Sequence, residues 1–193
     1  MPVFESLPDK PDLSDVFRAF PHTVPPLLVY HDYVLRHDQS PFSVAEREII
    51  AAYVSGLNSC AFCFGSHKII ASTFGIEEDL IENLLVDPAQ SDVDPRMVPV
   101  LSFTRILTES PSKVTDEHRR AILDAGWPEQ AIFDAASICG LFNLMNRIVE
   151  GMGVTTSAAI QQAQRARHKR ESDARVETDT YQQYGRRIGV INE

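Results

Sequence analysis

Cysteine is scarce in this chain. Three residues, Cys60, Cys63 and Cys139, are too few and too unevenly spaced to staple a small fold. That argues for a reducing compartment, where a close cysteine pair serves as a redox or metal centre. Positive charge is also short: 18 Lys and Arg stand against 27 Asp and Glu, a formal charge of −9 with a pI near 5.1. An acidic chain lacks the electrostatic footprint of a nucleic-acid binder. No stretch approaches the roughly 20 apolar residues of a membrane span. Residues 1–10 have neither the basic region nor the apolar run of a secretory signal. Alternating strand patterns are missing, and no internal repeat stands out. The expectation is a cytoplasmic, all-α protein.

What is present suffices for one domain. The 193 residues are 44% hydrophobic and 23% charged, enough to bury a core without staples. Residues 1–24 read as a proline-rich arm with one short helix, where Leu13, Val16, Phe17 and Phe20 share a face. Residues 25–155 read as a helical domain. Its helices are predicted at 25–36, 43–57, from about 60 to 75, and at 77–86, 96–109, 115–125 and 129–151, about eight with the arm's. The helix at 25–36 holds Leu27, Leu28, Val29, Tyr30, Tyr33, Val34 and Leu35, so most of its surface is expected to be buried. Ser43 and Glu46 form a capping box, each satisfying the other's free N–H. Residues 156–193 are mostly polar. They read as a helix or arm that orders against a partner subunit, with Ile188, Val190 and Ile191 as its anchor.

The chemistry concentrates in one stretch. Cys60, Cys63 and His67 fall within about a 60° arc of a helix, so all three face the same way. With Asn58 or Ser59 as N-cap, Cys60 lies in the first turn, where free N–H groups and the helix dipole favour a thiolate. His67 follows Cys63 by one turn and is placed to relay a proton. Glu48, from the preceding helix, is placed to orient or charge that imidazole. The dipole favours Cys60 as the attacking sulfur, whereas closeness to His67 favours Cys63. Zinc would need a fourth ligand, which no second C-x-x-C or H-x-x-x-H supplies. Neither a metal nor a bound cofactor is expected. Cys139, in an apolar helix, reads as buried and inert, Arg147 as structural, and the basic residues 165–170 as a solvated face.

The spacing of Glu48, Cys60-x-x-Cys63 and x-x-x-His67 resembles that of the alkylhydroperoxidase AhpD-like proteins, within the carboxymuconolactone decarboxylase superfamily. Phe142-Asn143-Leu144-Met145-Asn146-Arg147, with Gly151-Met152-Gly153-Val154, resembles the late helix of the subgroup called peroxidase-related proteins. Together these cover roughly residues 25–155. The resemblance implies an AhpD-like helical bundle, assembled as a homo-oligomer (trimer or hexamer), that reduces hydroperoxides and is recycled by an external dithiol or protein reductant. It implies Cys63 as the peroxidatic cysteine, Cys60 as the resolving one, and Glu48 with His67 as the proton relay. One departure stands out. The family's histidine directly before the peroxidatic cysteine is here Phe62, and His31, beside Tyr30 on the second helix, is a candidate to complete the relay. That departure supports an alternative, a thiol–disulfide oxidoreductase or redox sensor with a protein partner and little peroxidase activity. Lactone decarboxylase-like members of the superfamily generally lack this cysteine pair.

Overall fold

The computed structural model describes residues 3–156, 162 and 178–192. The basic residues 165–170 and much of the expected C-terminal arm lie outside the described residues. Nine α-helices, and no strand, occur among the described residues. They are α1 (Leu13–Ala19), α2 (Val24–Leu35), α3 (Val44–Leu57), α4 (Ala61–Thr73), α5 (Glu78–Val86), α6 (Met97–Glu109), α7 (Asp116–Asp124), α8 (Glu129–Gly151) and α9 (Thr180–Arg187). Short 3-10 turns at Pro21–Thr23, Pro88–Gln90 and Pro111–Lys113 join some of them.

Local chemistry sets most of the starts. Asp12 caps α1 and Asp15 reciprocates; Ser43 and Glu46 do the same for α3. Pro25 and Pro26 fall in the first turn of α2, where a missing N–H costs nothing. Gly153, at φ 68°, turns the chain after α8 so that Val154 folds back onto the cysteine pair.

α3 is the central rod. Every residue from Arg47 to Ser55 is buried, so the helix is enclosed on all sides rather than amphipathic. α4, α5, α6 and α8 pack around it. α8 is long and apolar enough by length and composition to cross a membrane. Here it buries Ala131, Ala135, Ile138, Phe142, Met145 and Val149 in the protein's own core.

α2 corrects one expectation. It is not buried all round: Tyr30 and Tyr33 are exposed, while His31 and Asp32 are turned inward. The apolar count misled because Tyr keeps its polar tip in water, whereas the inner face meets polar partners. Asp32 accepts from the N–H groups of Tyr181 and Gln182 at 2.7 and 2.9 Å, and from Gln182 Nε2 at 3.1 Å. A carboxylate on α2 thus serves the start of α9. A Cβ on Gly185 would lie 2.7 Å from Leu28 and 2.6 Å from Ile191, so glycine permits the close crossing of α9 on α2. Ile188, Val190 and Ile191 join the same core. α9 therefore docks on its own chain.

Candidate functional site

The start of α4 differs from the sequence expectation. Cys60 itself is the N-cap, with extended backbone, and the helix begins at Ala61. Asn58 cannot serve because its side chain is drawn to α8, donating to Asn143 Oδ1 at 3.1 Å and Asn146 Oδ1 at 2.9 Å. Ser59 adopts a left-handed φ of 57°, and the Cys60 N–H returns to the Ser55 carbonyl at 2.9 Å. The Cys60 sulfur therefore lies at the helix mouth. It closes no side-chain cap hydrogen bond there.

Both sulfurs are free thiols and both are buried, Cys60 fully and Cys63 to within 4%. Leu7 and Val16 of the N-terminal segment, with Val149 and Val154, enclose them. Phe62 packs into this cover alongside Phe4 and Met152. It is a wall residue with no proton to move.

One turn further along α4, His67 meets Glu48. Nδ1 lies 2.5 Å from Oε2 of a carboxylate that is wholly buried. The other oxygen, Oε1, is 2.6 Å from Nη1 of Arg36, which ends α2. Nη1 also donates to the Leu35 carbonyl at 3.0 Å, which fixes the guanidinium beside the carboxylate. Burial alone would raise the Glu48 carboxyl, but Arg36 and His67 outweigh it and hold it down at about 2. An ionised Glu48 accepts a hydrogen bond from Nδ1–H of His67, which leaves Nε2 as the ring nitrogen for proton exchange. His31 sits within electrostatic range of the same cluster. Its Nδ1 is 2.8 Å from the Leu27 carbonyl, and burial lowers its pKa to about 4, so it is neutral near pH 7. No hydrogen bond links it to His67 or Glu48 among the described contacts.

α8 lines the opposite wall in register. Phe142 sets its ring edge-on to His67 at 4.4 Å. One and two turns on along the same helix come Asn146, buried, and Glu150, exposed, and Val149 packs in the cluster that holds both cysteines. Asn146 is itself fixed by Asn58 and by donating to Ser55 Oγ at 3.1 Å. The acidities of the two sulfurs diverge. Donation from the Cys63 thiol holds Cys60 below the ordinary thiol range, whereas that donor role and burial push Cys63 above it.

The structure thus brings Glu48 and His67 into contact and pairs Cys60 with Cys63, while His31 stays in the second layer. Among the described residues no three of His, Cys, Asp and Glu converge as metal ligands. Cys139 is buried, with its sulfur 3.2 Å from Thr108 Oγ1. Sequence reasoning missed Arg36 and Asn146. Asn146 carried a faint signal, as a buried polar residue in an apolar helix; Arg36 carried only its place at the end of one.

No protein-family model and no curated protein matches this sequence. Among solved structures the chain is similar to the alkylhydroperoxidase AhpD core of an uncharacterized peroxidase-related protein from Ralstonia eutropha JMP134. The TM-score is 0.71 at 22% identity, over 78% of each chain. It is also similar to an uncharacterized peroxidase-related protein from Silicibacter sp. TM1040. There the TM-score is 0.70 at 21% identity, over 77% of this chain and 78% of the other. At such identities the likeness is one of architecture: the chain has the all-helical AhpD-like fold.

Proposed function

We propose that this chain is a thiol-dependent peroxidase that reduces an alkyl hydroperoxide through a Cys63 sulfenate and a Cys60–Cys63 disulfide. The observation that carries this reading is the buried line from Arg36 through Glu48 to His67, which ends one helical turn from Cys63. Arg36 keeps Glu48 ionised, Glu48 fixes the His67 tautomer, and Nε2 takes the Cys63 proton. The Cys63 thiolate attacks the terminal peroxide oxygen and the O–O bond breaks. The departing alkoxide receives the proton from His67, giving an alcohol and Cys63–SOH. Cys60 then attacks that sulfur, water leaves, and the disulfide forms. An external dithiol or protein reductant returns both thiols. No bound cofactor enters this scheme. A homo-oligomer, trimeric or hexameric, in a reducing cytoplasm fits the reading, and the exposed Phe133 and Leu144 of α8 offer apolar surface for assembly.

The test is a thiol count after one equivalent of organic hydroperoxide. The wild type is expected to lose two thiols rapidly, and Cys60→Ser to yield a trappable sulfenic acid at Cys63. Survival of both thiols overturns the peroxidase reading.

One observation favours a second reading. Cys60 is the more acidic sulfur and sits at the helix mouth, as suits an attacking thiolate in thiol–disulfide exchange. Phe62, in place of a histidine, removes a proton donor from the peroxide side. In that reading the chain is an oxidoreductase or redox sensor for a protein partner, and its thiols cycle only with a protein disulfide or dithiol.

A further inference from the structure

Two asparagines of α8 have no part in the relay. Phe142 meets His67, whereas Asn143 and Asn146 reach the joint between α3 and α4. Asn58 Nδ2 donates to both of their Oδ1 atoms, at 3.1 and 2.9 Å. The polarity of this clamp is fixed from below. The Ser55 hydroxyl donates to the Ala51 carbonyl at 2.8 Å, so its Oγ accepts from Asn146 Nδ2, and Asn146 Oδ1 is left for Asn58. Ser55 and Asn146 are both buried, where a polar group without its partner is costly.

The joint has no spare residue. The Ser59 N–H donates to the Gly56 carbonyl and the Cys60 N–H to the Ser55 carbonyl, both at 2.9 Å, with Ser59 in the left-handed region. That is a Schellman ending of α3, and Cys60, its last residue, is at once the N-cap of α4. Ser59 is the one non-glycine residue with positive φ among the described residues. Such a conformation persists only where its surroundings impose it. Asparagine and serine are both preferred N-caps, and cysteine is not. Here neither acts. Asn58 has its amide committed to α8, and Ser59 lacks the extended backbone that a cap requires. The mouth of α4 falls to Cys60. Cys63 is then the third residue of the helix, and these two positions are the pair that meet in a capping box. Both cysteines lie in one buried cluster.

We propose that Asn58 is a positioning residue for the dithiol: held by Asn143 and Asn146, it keeps the preferred caps out of α4 and reserves the helix mouth for the Cys60 sulfur. This rests on the reading of Cys60 and Cys63 as a redox pair, which the peroxidase and the exchange readings share. Once the clamp is released, α4 is free to start earlier, at Asn58 or Ser59. Cys60 then enters the first turn, and its side chain no longer occupies the cap position beside the free N–H groups that favour a thiolate. One α8 motif thus serves both halves of the site, Phe142 against the His67 ring and the two asparagines through the joint that ends at Cys60.

Thiolate absorbance against pH reads the effect on the full chain, with Cys60→Ala identifying the step that belongs to Cys60. Asn58→Ala and Asn146→Ala are each expected to raise that step by about half a pH unit or more. Combining them should add little, since each opens the same clamp. Ser59→Gly supplies the discriminating change. Glycine adopts the left-handed region freely, so adding it to Asn58→Ala rebuilds the joint without restoring any amide. The Cys60 step should return toward its wild-type position in that double variant. Ile122→Val, a truncation of the buried residue of α7, is the control for a loss of stability alone, compared by urea midpoint.

No rise in Asn58→Ala overturns the proposal, as does an equal rise in Ile122→Val, which marks a general loosening of the fold. A rise that Ser59→Gly leaves in place overturns it as well, because the amides then act on the sulfur directly and not through the joint. Fully additive rises on combining Asn58→Ala with Asn146→Ala overturn it too, by showing that the two residues act separately. Oxidation of the wild type by dithiodipyridine, followed by peptide mapping, shows whether the Cys60–Cys63 disulfide closes. If it does not close while the titrations behave as expected, the redox reading fails and the part of Asn58 in placing Cys60 stands.

Discussion

Nη1 of Arg36 stands 2.6 Å from Oε1 of Glu48, and neither side chain is more than 5% exposed. Two charges taken out of water together are seldom a net gain in stability, because desolvation offsets most of their attraction. The pair makes sense through its third member. With Arg36 in place Glu48 remains ionised beside His67, so the imidazole is always offered an acceptor on Nδ1 and keeps Nε2 open.

Removing one partner should therefore cost far more than removing both. Arg36→Met is expected to destabilise the fold by roughly 3–5 kcal/mol, by stranding a buried carboxylate. The double variant Arg36→Met with Glu48→Gln should recover a large part of that loss. Urea unfolding of the two single variants and the double variant measures the coupling. Additive effects would mean that the pair does not interact.

Acid should unfold this protein in two stages. His31 has a folded pKa of about 4 against 6.5 in the open chain, so the unfolded state binds the extra proton first. Its neutral burial supports the fold above pH 6.5, and that support is lost as pH falls toward 4. Glu48, held at about 2 against 4.5, contributes above 4.5 and is lost as pH falls toward 2. Each amounts to about 3 kcal/mol at most. Asp32 works the other way, since burial raises its carboxyl despite three donors. Urea midpoints followed from neutral pH downward should fall through the upper window in the wild type. In His31→Gln that upper fall should flatten while the lower one remains. An identical profile in the two proteins would rule out His31 as the source.

The two sulfurs should titrate apart, and each should move when the other is removed. In Cys63→Ala, Cys60 loses its thiol donor, so its pKa should rise toward the ordinary range. In Cys60→Ala, Cys63 is freed from its donor role and should fall. Thiolate absorbance against pH reads both. No change in Cys60 on loss of Cys63 would locate its acidity in the helix mouth alone.

Local chemistry made much of this legible from the residues. The Ser43–Glu46 box is a short-range fact of α3 and survives into the structure as expected, and Cys63 and His67 stand one turn apart on α4, whereas Cys60 lies just outside that helix as its N-cap. Glu48 is a different case: only its spacing from the cysteines singled it out, because the contact with His67 crosses between helices. Arg36 was invisible for the same reason, since nothing near it in sequence says that the end of α2 meets the middle of α3. The placement of Cys60 as N-cap depended on α8 capturing the Asn58 side chain, a tertiary event that overrides the usual preference for Asn at a helix start.

α9 supplies the last test, because it closes the outer side of the relay. The Tyr181 ring lies 4.9 Å from the ring of His31, and the Arg36 guanidinium sits 5.2 Å above it. Asp32 holds this lid by receiving the first amides of the helix. Asp32→Ala removes that cap, a loss of about 1–2 kcal/mol by analogy with other caps. The amides of residues 181–187 should then exchange with solvent about tenfold faster or more, while those of α3 keep their protection. The His31 titration, read by NMR in the same variant, should move up from about 4 as Tyr181 opens and water approaches the ring. If exchange in 181–187 is unchanged, the packing of Ile188 and Ile191 holds α9 without help. If exchange rises but His31 does not move, then α9 is latched by Asp32 yet does not seal the relay.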